Sequence, residues 1–350
     1  MKSLKKSQIN MLSSATSVKG QGVGSAYIEQ VNLVKDGLAD EFDIFENALK
    51  CSEITHYHTI DFKFAISKWF MTKNGKSVGY VHMLPETVEN SLNLPKPIKK
   101  IFFWYMIKFY KSMDYLVTVN PYFIGELEKY GIDRNKVTYI PNYVSGDDFY
   151  KVSKDEKERL REKYGIDKDA FVVLSAGQLQ TRKGIFDVLK MAEQLPDIQF
   201  VWAGGFSFGK ISDGYKEIEK VVDNPPHNVK FLGIVDREYM NEVYNLADVM
   251  LLASFEELFP MTILEAMCVN TPILLRDLEI YEDILFDFYE KANSIDTFVS
   301  VLNRLKQDES YYEQAQQASA KGNIFYAKDN VLSMWKEFYE QVEEQAKQEN

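Results

Sequence analysis

The sequence predicts an α/β fold with two doubly wound parallel sheets and a cleft between them. Short apolar runs typical of strands alternate with helical stretches along the chain, the order from which parallel sheets covered by helices are built. The chain has 350 residues, more than one hydrophobic core usually organises, so we expect two domains. A polar, highly charged stretch at 151–163 interrupts the alternation, and we interpret it as a solvated helix at the domain junction. We therefore divide the chain into domains 1–150 and 151–328.

Ten runs of apolar and β-branched residues are the strand candidates. In order they are 8–12, 54–58, 77–82, 115–119, 136–140, 171–175, 199–203, 229–232, 249–253 and 272–275. Helical stretches separate them, notably 25–35 and 123–130. Because ligands in open α/β sheets bind beyond the carboxyl ends of the strands, the residues that follow these runs are the candidates for function.

Composition indicates a soluble globular protein, with 45% hydrophobic and 27% charged residues. We expect Cys51 and Cys268 to be reduced core thiols rather than a disulfide, as in cytoplasmic proteins. The lysines near the N-terminus precede no apolar segment of a signal peptide, and no run is long enough to cross a bilayer. These features predict a cytoplasmic protein.

The negative charge is concentrated in the second half. Residues 1–150 contain 18 Lys and Arg against 16 Asp and Glu, whereas residues 151–350 contain 23 against 36. Such an acidic chain is a poor candidate for binding nucleic acid, and no nucleic-acid partner is predicted.

One segment of the first half is strongly basic. Residues 95–111 contain five lysines, six aromatic residues and no acid. Read as a helix, the segment places Lys96, Lys100, Trp104, Lys108 and Lys111 on one stripe and apolar residues on another. This pattern is typical of a helix at an anionic membrane surface, with a core helix that has a solvated lysine face as the alternative. The absence of acids favours the membrane, and the predicted membrane contacts are Lys99, Lys100, Trp104, Lys108 and Lys111.

Two glutamates, Glu257 and Glu265, follow the strand candidate 249–253. We expect Pro260 at the first position of a helix, which leaves Glu257 on the preceding loop and Glu265 within the helix. Unpaired amides of Met261, Thr262 and Ile263 would then face an anion. Phosphates combined with sugar hydroxyls suit this arrangement. An ordinary strand, loop and helix with solvated acids is the alternative.

The run from Glu257 to Glu265, together with Ala266-Met267 and the stretch 271–274, resembles the retaining nucleotide-sugar glycosyltransferases of family 4. In that family two glutamates separated by seven residues lie in the C-terminal domain. The resemblance implies the GT-B fold, with a nucleotide-sugar-binding domain at 151–328. It also implies that a final helix at 329–347 returns to the first, acceptor- and membrane-binding domain.

Other strand ends match the same family. Gly22 and Gly24 correspond to its glycine loop, where a helix N-terminus faces the donor phosphates, although glycines also simply make turns. Gly205 and Gly233 correspond to the strand ends that hold the nucleotide.

Arg182 and Lys183 carry positive charge on a loop and can neutralise a diphosphate. Lys183 matches the lysine of the family's diphosphate-binding segment, and Arg182 would take over the charge of the family arginine that Gln178 replaces. Two surface cations that begin a helix are the alternative. Gln178 and Pro260 depart from the family pattern, and Pro260 has no N–H to donate.

Three histidines, His56, His58 and His82, lie at strand ends in the first half. A zinc site is one interpretation. However, we expect His56 and His58 to face opposite sides of their strand, and no nearby Cys or Glu completes a ligand set, so no metal is predicted. His82 matches a family histidine that lines the cleft, and a packing histidine is the alternative.

The resemblance implies transfer of a hexose from UDP-glucose or UDP-galactose with retention, and without a cofactor. Lys183, Arg182 and the amides of Met261 and Thr262 would stabilise the leaving diphosphate. By the same resemblance Glu257 would bind sugar hydroxyls, Glu265 the ribose, and His82 would position the acceptor.

Stretches such as 20–27, 79–85, 203–209 and 257–266 resemble more narrowly the Gram-positive synthases that add a hexose to monoglucosyldiacylglycerol. This implies a glycolipid acceptor, a diglycosyl product that anchors lipoteichoic acid, and an enzyme peripheral on the inner face of the cell membrane. A family member acting on a soluble glycan or protein, and a catalytically silent partner subunit, remain the alternatives.

Overall fold

The computed structural model describes residues 6–15, 22–72, 75–86, 95–206, 209 and 213–348. Two parallel six-stranded sheets form its centre. The first sheet has the order β2-β1-β3-β4-β5-β6, and every neighbouring pair is parallel. Its strands are β1 Ser7–Leu12, β2 Phe42–Glu46, β3 Ile54–Tyr57, β4 Lys76–Val81, β5 Tyr115–Thr118 and β6 Val137–Tyr139.

The second sheet has the order β12-β11-β10-β7-β8-β9 and is also parallel throughout. Its strands are β7 Phe171–Ala176, β8 Ile198–Ala203, β9 Val229–Gly233, β10 Val249–Leu252, β11 Ile273–Arg276 and β12 Glu290–Ala292. This is the strand order of the doubly wound nucleotide-binding fold. The order reverses between β7 and β10, so a ligand crevice is expected beyond the carboxyl ends of these two strands.

Helices cover both sheets. Those that follow strands of the first sheet are α1 Gly22–Gly37, α2 Phe62–Met71, α3 Lys96–Ser112 and α4 Tyr122–Lys129. Those of the second region are α5 Lys154–Lys163, α6 Ile185–Gln194, α7 Tyr215–Asp223, α8 Arg237–Leu246, α9 Met261–Cys268, α10 Glu282–Leu285, α11 Ile295–Gln307 and α12 Glu309–Phe325. Short 3₁₀ turns lie at Arg134–Lys136, Thr181–Lys183 and Glu279–Tyr281.

The predicted fold class is confirmed, and all ten strand candidates are strands with no end shifted by more than one residue. Two strands were missed, β2 and β12, and both lie at sheet edges. Their sequences, FDIFE and EKA, carry acidic or basic side chains within very short runs. Charges on short edge strands are common because they discourage pairing with other chains, and they remove the apolar signal.

The last helix, α13 Lys328–Gln348, returns to the first sheet. Its Trp335 and Tyr339 are fully buried, and the Tyr339 hydroxyl lies 2.8 Å from Nδ1 of His56 on β3. Tyr339 also accepts a hydrogen bond from Gln30 on α1 (3.1 Å). The division of the chain at residue 150 stays a prediction.

The stretch 151–163 contains helix α5 as predicted, and most of its residues are exposed or half-buried. Its exceptions are Leu160 and Arg161, which are buried, and the Arg161 guanidinium donates to Asp248 (2.7 Å), just before β10. One smaller prediction is wrong. Cys51 is an exposed residue rather than a core thiol, and its Sγ donates to the carbonyl of Phe70 (3.1 Å). Across the described ranges no helix has both the length and the apolar character needed to cross a bilayer.

Candidate active site

The carboxyl-terminal edges of the two sheets face each other. Asn120, which follows β5, donates from Nδ2 to the main-chain carbonyls of Leu258 (3.0 Å) and Ile280 (2.8 Å). Asn142, which follows β6, donates to the carbonyl of Phe259 (2.9 Å). Both asparagines are buried. The loop between β10 and α9 is therefore held from the opposite domain, and this loop carries Glu257.

The loops that follow β7 and β10 lie against each other at the point where the strand order reverses. The amide of Phe255 donates to the carbonyl of Arg182 (2.8 Å), and Nη1 of Arg182 donates back to the carbonyl of Glu256 (3.1 Å). Gly184 has a φ of +75°, and a Cβ at this position would lie 2.2 Å from the carbonyl oxygen of Ala253. Glycine is therefore required here, both for the left-handed backbone and for the close approach.

Lys183 and Glu257, predicted from separate motifs, form a largely buried ion pair between these loops. Burial alone would raise the pKa of Glu257, but the cations of Lys183 and Arg182 outweigh it and hold the pKa below its ordinary value. Burial lowers the pKa of Lys183, and Glu257 opposes that shift. The structure thus brings two of the four predicted catalytic side chains into contact, while their roles stay predictions.

The start of α9 differs slightly from the expected one. Pro260 is the residue before the helix rather than its first residue, and no side chain caps the helix. The amide of Ile263 donates to the carbonyl of Pro260 (3.2 Å), so it is not one of the available donors. Met261 and Thr262 remain the predicted amide donors at the positive end of the helix. The buried hydroxyl of Thr262 has no hydrogen-bond partner in the described part of the chain.

Glu265 is buried beneath α8 and is held by two side chains. One oxygen accepts from Nη1 of Arg237 (3.2 Å) and the other from the hydroxyl of Tyr244. The second amino group of Arg237 is paired with Glu29 on α1, so one guanidinium joins the two domains. Burial raises the pKa of Glu29, and the charge of Arg237 opposes that rise. A carboxylate has about four acceptor sites, so Glu265 keeps capacity for a ligand hydroxyl.

Sequence reasoning missed Arg237, Glu29, Asn120 and Asn142. Asn120, Asn142 and Arg237 each follow a strand end, which was the signal available for them. Their partners lie far along the chain, and a single sequence does not reveal such pairs.

The glycines predicted to bind the nucleotide lie at strand ends that are hydrogen-bonded to one another. The amide of Leu179 donates to the carbonyl of Gly205 (3.0 Å), and the amide of Gly204 donates to the carbonyl of Gly233 (2.7 Å). Gly204 has a φ of +140°, and a Cβ there would lie 1.8 Å from the carbonyl oxygen of Gly177. One side of the site is therefore lined by main-chain atoms of these glycines.

Gly22 and Gly24 lie in the first turn of α1, because the helix begins at Gly22 rather than near residue 25. A Cβ on Gly24 would lie 3.1 Å from the carbonyl oxygen of Ala15, which ends the first described segment. Residues 20 and 21 of the predicted glycine loop lie outside the described residues.

The prediction that His56 and His58 diverge is wrong. Residues two apart along a strand point to the same face, and their ring centroids are 4.1 Å apart. His82 joins them, with its ring centroid 6.4 Å from that of His58. Burial lowers the pKa of all three, that of His58 to about 3, so the cluster is neutral at physiological pH. Within the described residues no three His, Cys, Asp or Glu side chains are arranged to hold a metal ion.

Helix α3 combines the two interpretations offered for its sequence. Met106, Phe109 and Tyr110 are buried, as in a core helix. Lys100, Trp104, Lys108 and Lys111 are exposed and Lys99 is half-buried. Nζ of Lys108 lies 6.0 Å from the centre of the Trp104 ring.

Comparison with known proteins identifies the family. Residues 156–322 match the family described as Glycosyl transferases group 1, and residues 47–148 match Glycosyltransferase Family 4. The chain is 43% identical over 336 residues to the alpha-galactosylglucosyldiacylglycerol synthase of Streptococcus pneumoniae, covering 96% of this chain and 90% of that protein. The chain belongs to glycosyltransferase family 4.

One further relative and two solved structures are also similar to this chain. The processive diacylglycerol alpha-glucosyltransferase of Acholeplasma laidlawii is 26% identical over 59% of this chain and 60% of its own length. The crystal structure of Anabaena HepE in complex with UDP-glucose has a TM-score of 0.77 at 14% identity, covering 96% of this chain and all of that one. WaaG, a glycosyltransferase of lipopolysaccharide biosynthesis, has a TM-score of 0.66 at 13% identity, covering 93% of this chain and 99% of that one. The family 4 enzyme described here is a glycosyltransferase with the GT-B fold.

Proposed function

We propose that this glycosyltransferase moves a hexose from UDP-glucose or UDP-galactose to monoglucosyldiacylglycerol, with retention at the anomeric carbon. The observation that carries the proposal is the 43% identity to the pneumococcal synthase, which extends over 90% of that protein. The product named for that relative contains galactose as well as glucose, so UDP-galactose is the first donor to test.

Charge at the crevice supports the donor part of the proposal. A nucleoside diphosphate leaving group gains negative charge as the glycosidic bond breaks. Lys183 and Arg182 supply cations beside it, and the amides of Met261 and Thr262 supply uncapped donors at the N-terminus of α9. Fixed groups of this kind stabilise developing charge without rearrangement, and they need no metal ion.

In this proposal Glu257 and Glu265 bind the donor, and His82 orients the acceptor. Glu257, ionised beside Lys183, accepts from hydroxyls of the transferred sugar, and Glu265 accepts from the ribose. His82 is neutral because burial lowers its pKa, so it orients the acceptor hydroxyl by hydrogen bonding rather than by charge. The acceptor oxygen bonds to the anomeric carbon on the face that the leaving phosphate oxygen vacates, and that oxygen takes the acceptor's proton.

The membrane part of the proposal concerns α3. Lys99, Lys100, Lys108 and Lys111 would hold the enzyme on the anionic inner face of the cell membrane, where the acceptor resides, with Trp104 at headgroup depth. The product would be the diglycosyl lipid that anchors lipoteichoic acid. The enzyme would then be cytoplasmic and peripheral.

Radiolabelled donors test the reaction. The purified protein is offered UDP-galactose and UDP-glucose separately, with anionic vesicles containing monoglucosyldiacylglycerol, and the extracted lipids are resolved. A labelled diglycosyl lipid names both the acceptor and the donor. Binding of UDP without label in any lipid would refute the lipid acceptor, and soluble glycans and proteins would be screened next.

A lysine variant tests the membrane part. Replacing Lys99, Lys100, Lys108 and Lys111 by Gln removes about 1 kcal/mol of attraction per lysine at low salt, so vesicle affinity should fall roughly a hundredfold or more. The matched control replaces four exposed lysines of the second domain, Lys154, Lys190, Lys216 and Lys220. Equal affinity of the two variants for anionic vesicles would contradict this role of α3.

A further inference from the structure

Helix α2 turns an apolar stripe toward solvent. Phe62, Ile66, Trp69 and Phe70 are 69%, 55%, 86% and 69% exposed. Their spacing of four, three and one residues places them on one side of a helix. Soluble proteins rarely expose large contiguous apolar patches, and those that do occur usually mark an interaction surface.

The exposed stripe does not mean that α2 is loosely attached to the domain. The opposite side of α2 is buried through Phe64 and Met71, which share an apolar cluster with Met106 and Phe109 of α3. The exposed side chains are therefore additional to those that fix the helix on the domain.

Helices α2 and α3 form one continuous surface. The ring of Phe62 lies 6.0 Å from that of Tyr105, and the Tyr105 hydroxyl donates to the carbonyl of Ile60 (2.7 Å) just before α2. On α3 three more large apolar side chains are more than half exposed: Ile98, Ile101 and Trp104. We call this the two-helix surface, defined by Phe62, Ile66, Trp69, Phe70, Ile98, Ile101 and Trp104.

The charge around the two-helix surface selects its partner. Neither helix contains Asp or Glu, although the whole chain has a formal net charge of −11. Lysines accompany the exposed apolar residues on both helices: Lys63, Lys96, Lys99, Lys100, Lys108 and Lys111. Aromatic side chains flanked by lysines match a bilayer, whose anionic headgroups lie above an apolar interior.

We propose that α2 inserts into the membrane, with Phe62, Ile66, Trp69 and Phe70 in the headgroup and acyl boundary. The role given above to α3 is electrostatic attachment by its lysines with Trp104 at headgroup depth, whereas α2 is the helix that enters the acyl boundary. This inference rests on the membrane part of the proposed function.

Insertion of α2 would place the acceptor end of the site next to the lipid surface. Phe62 begins α2 only four positions after His58, and the N-cap of the helix is Asp61. The hydroxyl of Tyr110 on α3 donates to the carbonyl of Met83, beside His82 (3.0 Å). Both strand ends that carry the histidine cluster are thus fixed to the helices of the two-helix surface.

Tryptophan fluorescence tests insertion directly. The chain has four tryptophans, and Trp202 and Trp335 are buried, so the W104F variant leaves Trp69 as the exposed reporter. Vesicles of equal parts phosphatidylglycerol and phosphatidylcholine, with or without brominated acyl chains, are the probe. We expect the emission of Trp69 to shift to shorter wavelength and to be quenched by the brominated chains.

An affinity measurement complements it. The W69S/F70S variant should bind the same vesicles about tenfold more weakly or worse, because transfer of apolar surface to lipid is lost. The matched control, I324S/F325S, alters two exposed apolar residues on α12 and should bind like the unaltered protein. Unchanged affinity for UDP shows that each variant is folded.

The outcomes separate this inference from the proposed function. If the protein sediments with vesicles while Trp69 is neither shifted nor quenched, insertion of α2 is refuted and attachment by the lysines stands. If Trp69 is quenched but no diglycosyl lipid forms, the proposed acceptor fails and insertion stands. The protein could instead fail to bind vesicles and self-associate through a contact that W69S/F70S abolishes. In that case the two-helix surface is an interface between copies of the chain, and the inference is refuted.

Discussion

Asn142 donates a hydrogen bond to the main-chain carbonyl of Phe259 (2.9 Å), across the boundary between the two sheets. Asn120 makes the same kind of contact to Leu258, one residue earlier (3.0 Å). Two buried amides of the first domain therefore fix the loop of the second domain that presents Glu257. The position of Glu257 depends on how the domains meet as well as on its own sheet.

The N120A/N142A variant should lose activity through this loop. A buried carbonyl left without its donor costs about 1–3 kcal/mol, so we expect kcat to fall at least tenfold as the loop loses its fixed position. Asn228 is the matched control, since its Nδ2 also donates to main-chain carbonyls (Ala192, 2.9 Å) but away from the crevice. N228A should lower the melting temperature and leave kcat unchanged. If N120A/N142A behaves in the same way, the two asparagines serve stability alone.

Replacing Lys183 by Met should weaken both binding and catalysis. The change removes the cation and leaves Glu257 ionisable in a buried place without its partner. We expect kcat to fall about 10²- to 10³-fold, as for the loss of other fixed groups that stabilise transition-state charge. UDP affinity by calorimetry and kcat with labelled donor are the measurements. The K190M variant, on the exposed side of α6, is the control, and equal effects of the two would contradict a role for Lys183 at the diphosphate.

Stability should fall as the pH drops below about 6.5 because of the histidine cluster. The folded-state pKa of His58 is lowered to about 3, below the ordinary value of 6.5. The unfolded chain therefore binds more protons between these pH values. The contribution of these histidines to the free energy of unfolding is complete above about pH 6.5. As the pH falls below that value, the free energy of unfolding decreases by about 1.4 kcal/mol per pH unit for each such histidine. Urea unfolding between pH 7.5 and 5.5 measures this slope.

The H58F variant isolates one member of the cluster. Its pH slope should be smaller by about 1.4 kcal/mol per pH unit, because one titrating group is gone. A slope that H58F leaves unaltered would mean that His58 is protonated in the folded protein.

Two glycine substitutions should act in opposite directions. G204A places a Cβ 1.8 Å from the carbonyl oxygen of Gly177 and strains a backbone with φ of +140°. We expect it to abolish UDP binding and to lower the melting temperature. G125A, in the exposed middle of α4 with nothing within 4 Å of the new Cβ, should stabilise the protein by about 0.5–1 kcal/mol. Denaturant unfolding and a UDP titration compare the two variants. Intact UDP binding by G204A would show that the main chain at Gly177 and Gly204 can move to accommodate a Cβ.

The sequence predicted the parts of the site that are local in the chain. Glu257, Lys183 and the glycines at strand ends each belong to a strand, loop and helix unit whose pattern is visible within a few residues. The contact of Lys183 with Glu257 was not visible, because it arises only when β7 and β10 become neighbours in the sheet. Asn120 and Asn142 were missed for the same reason, since their partners lie in the other domain.

Helix α2 shows a second limit. Its sequence, FKFAISKWFM, is apolar on most sides, so pattern alone does not tell which side faces the core. The packing of Phe64 and Met71 against α3 decides this, and it leaves Trp69 outside. The prediction that His56 and His58 diverge was wrong for another reason. It assumed that residues two apart along a strand face opposite sides, whereas they share a face.

The return of α13 to the first sheet affects how the protein is made. His56 and Tyr339 are in contact although 283 residues separate them. During synthesis at about 5–20 residues per second, the first sheet emerges from the ribosome well before the helix that covers one of its faces. That face stays open to solvent or to a chaperone while the second domain is translated. The first domain therefore completes its core last, and a fragment ending near residue 150 should aggregate unless α13 is supplied as a separate peptide.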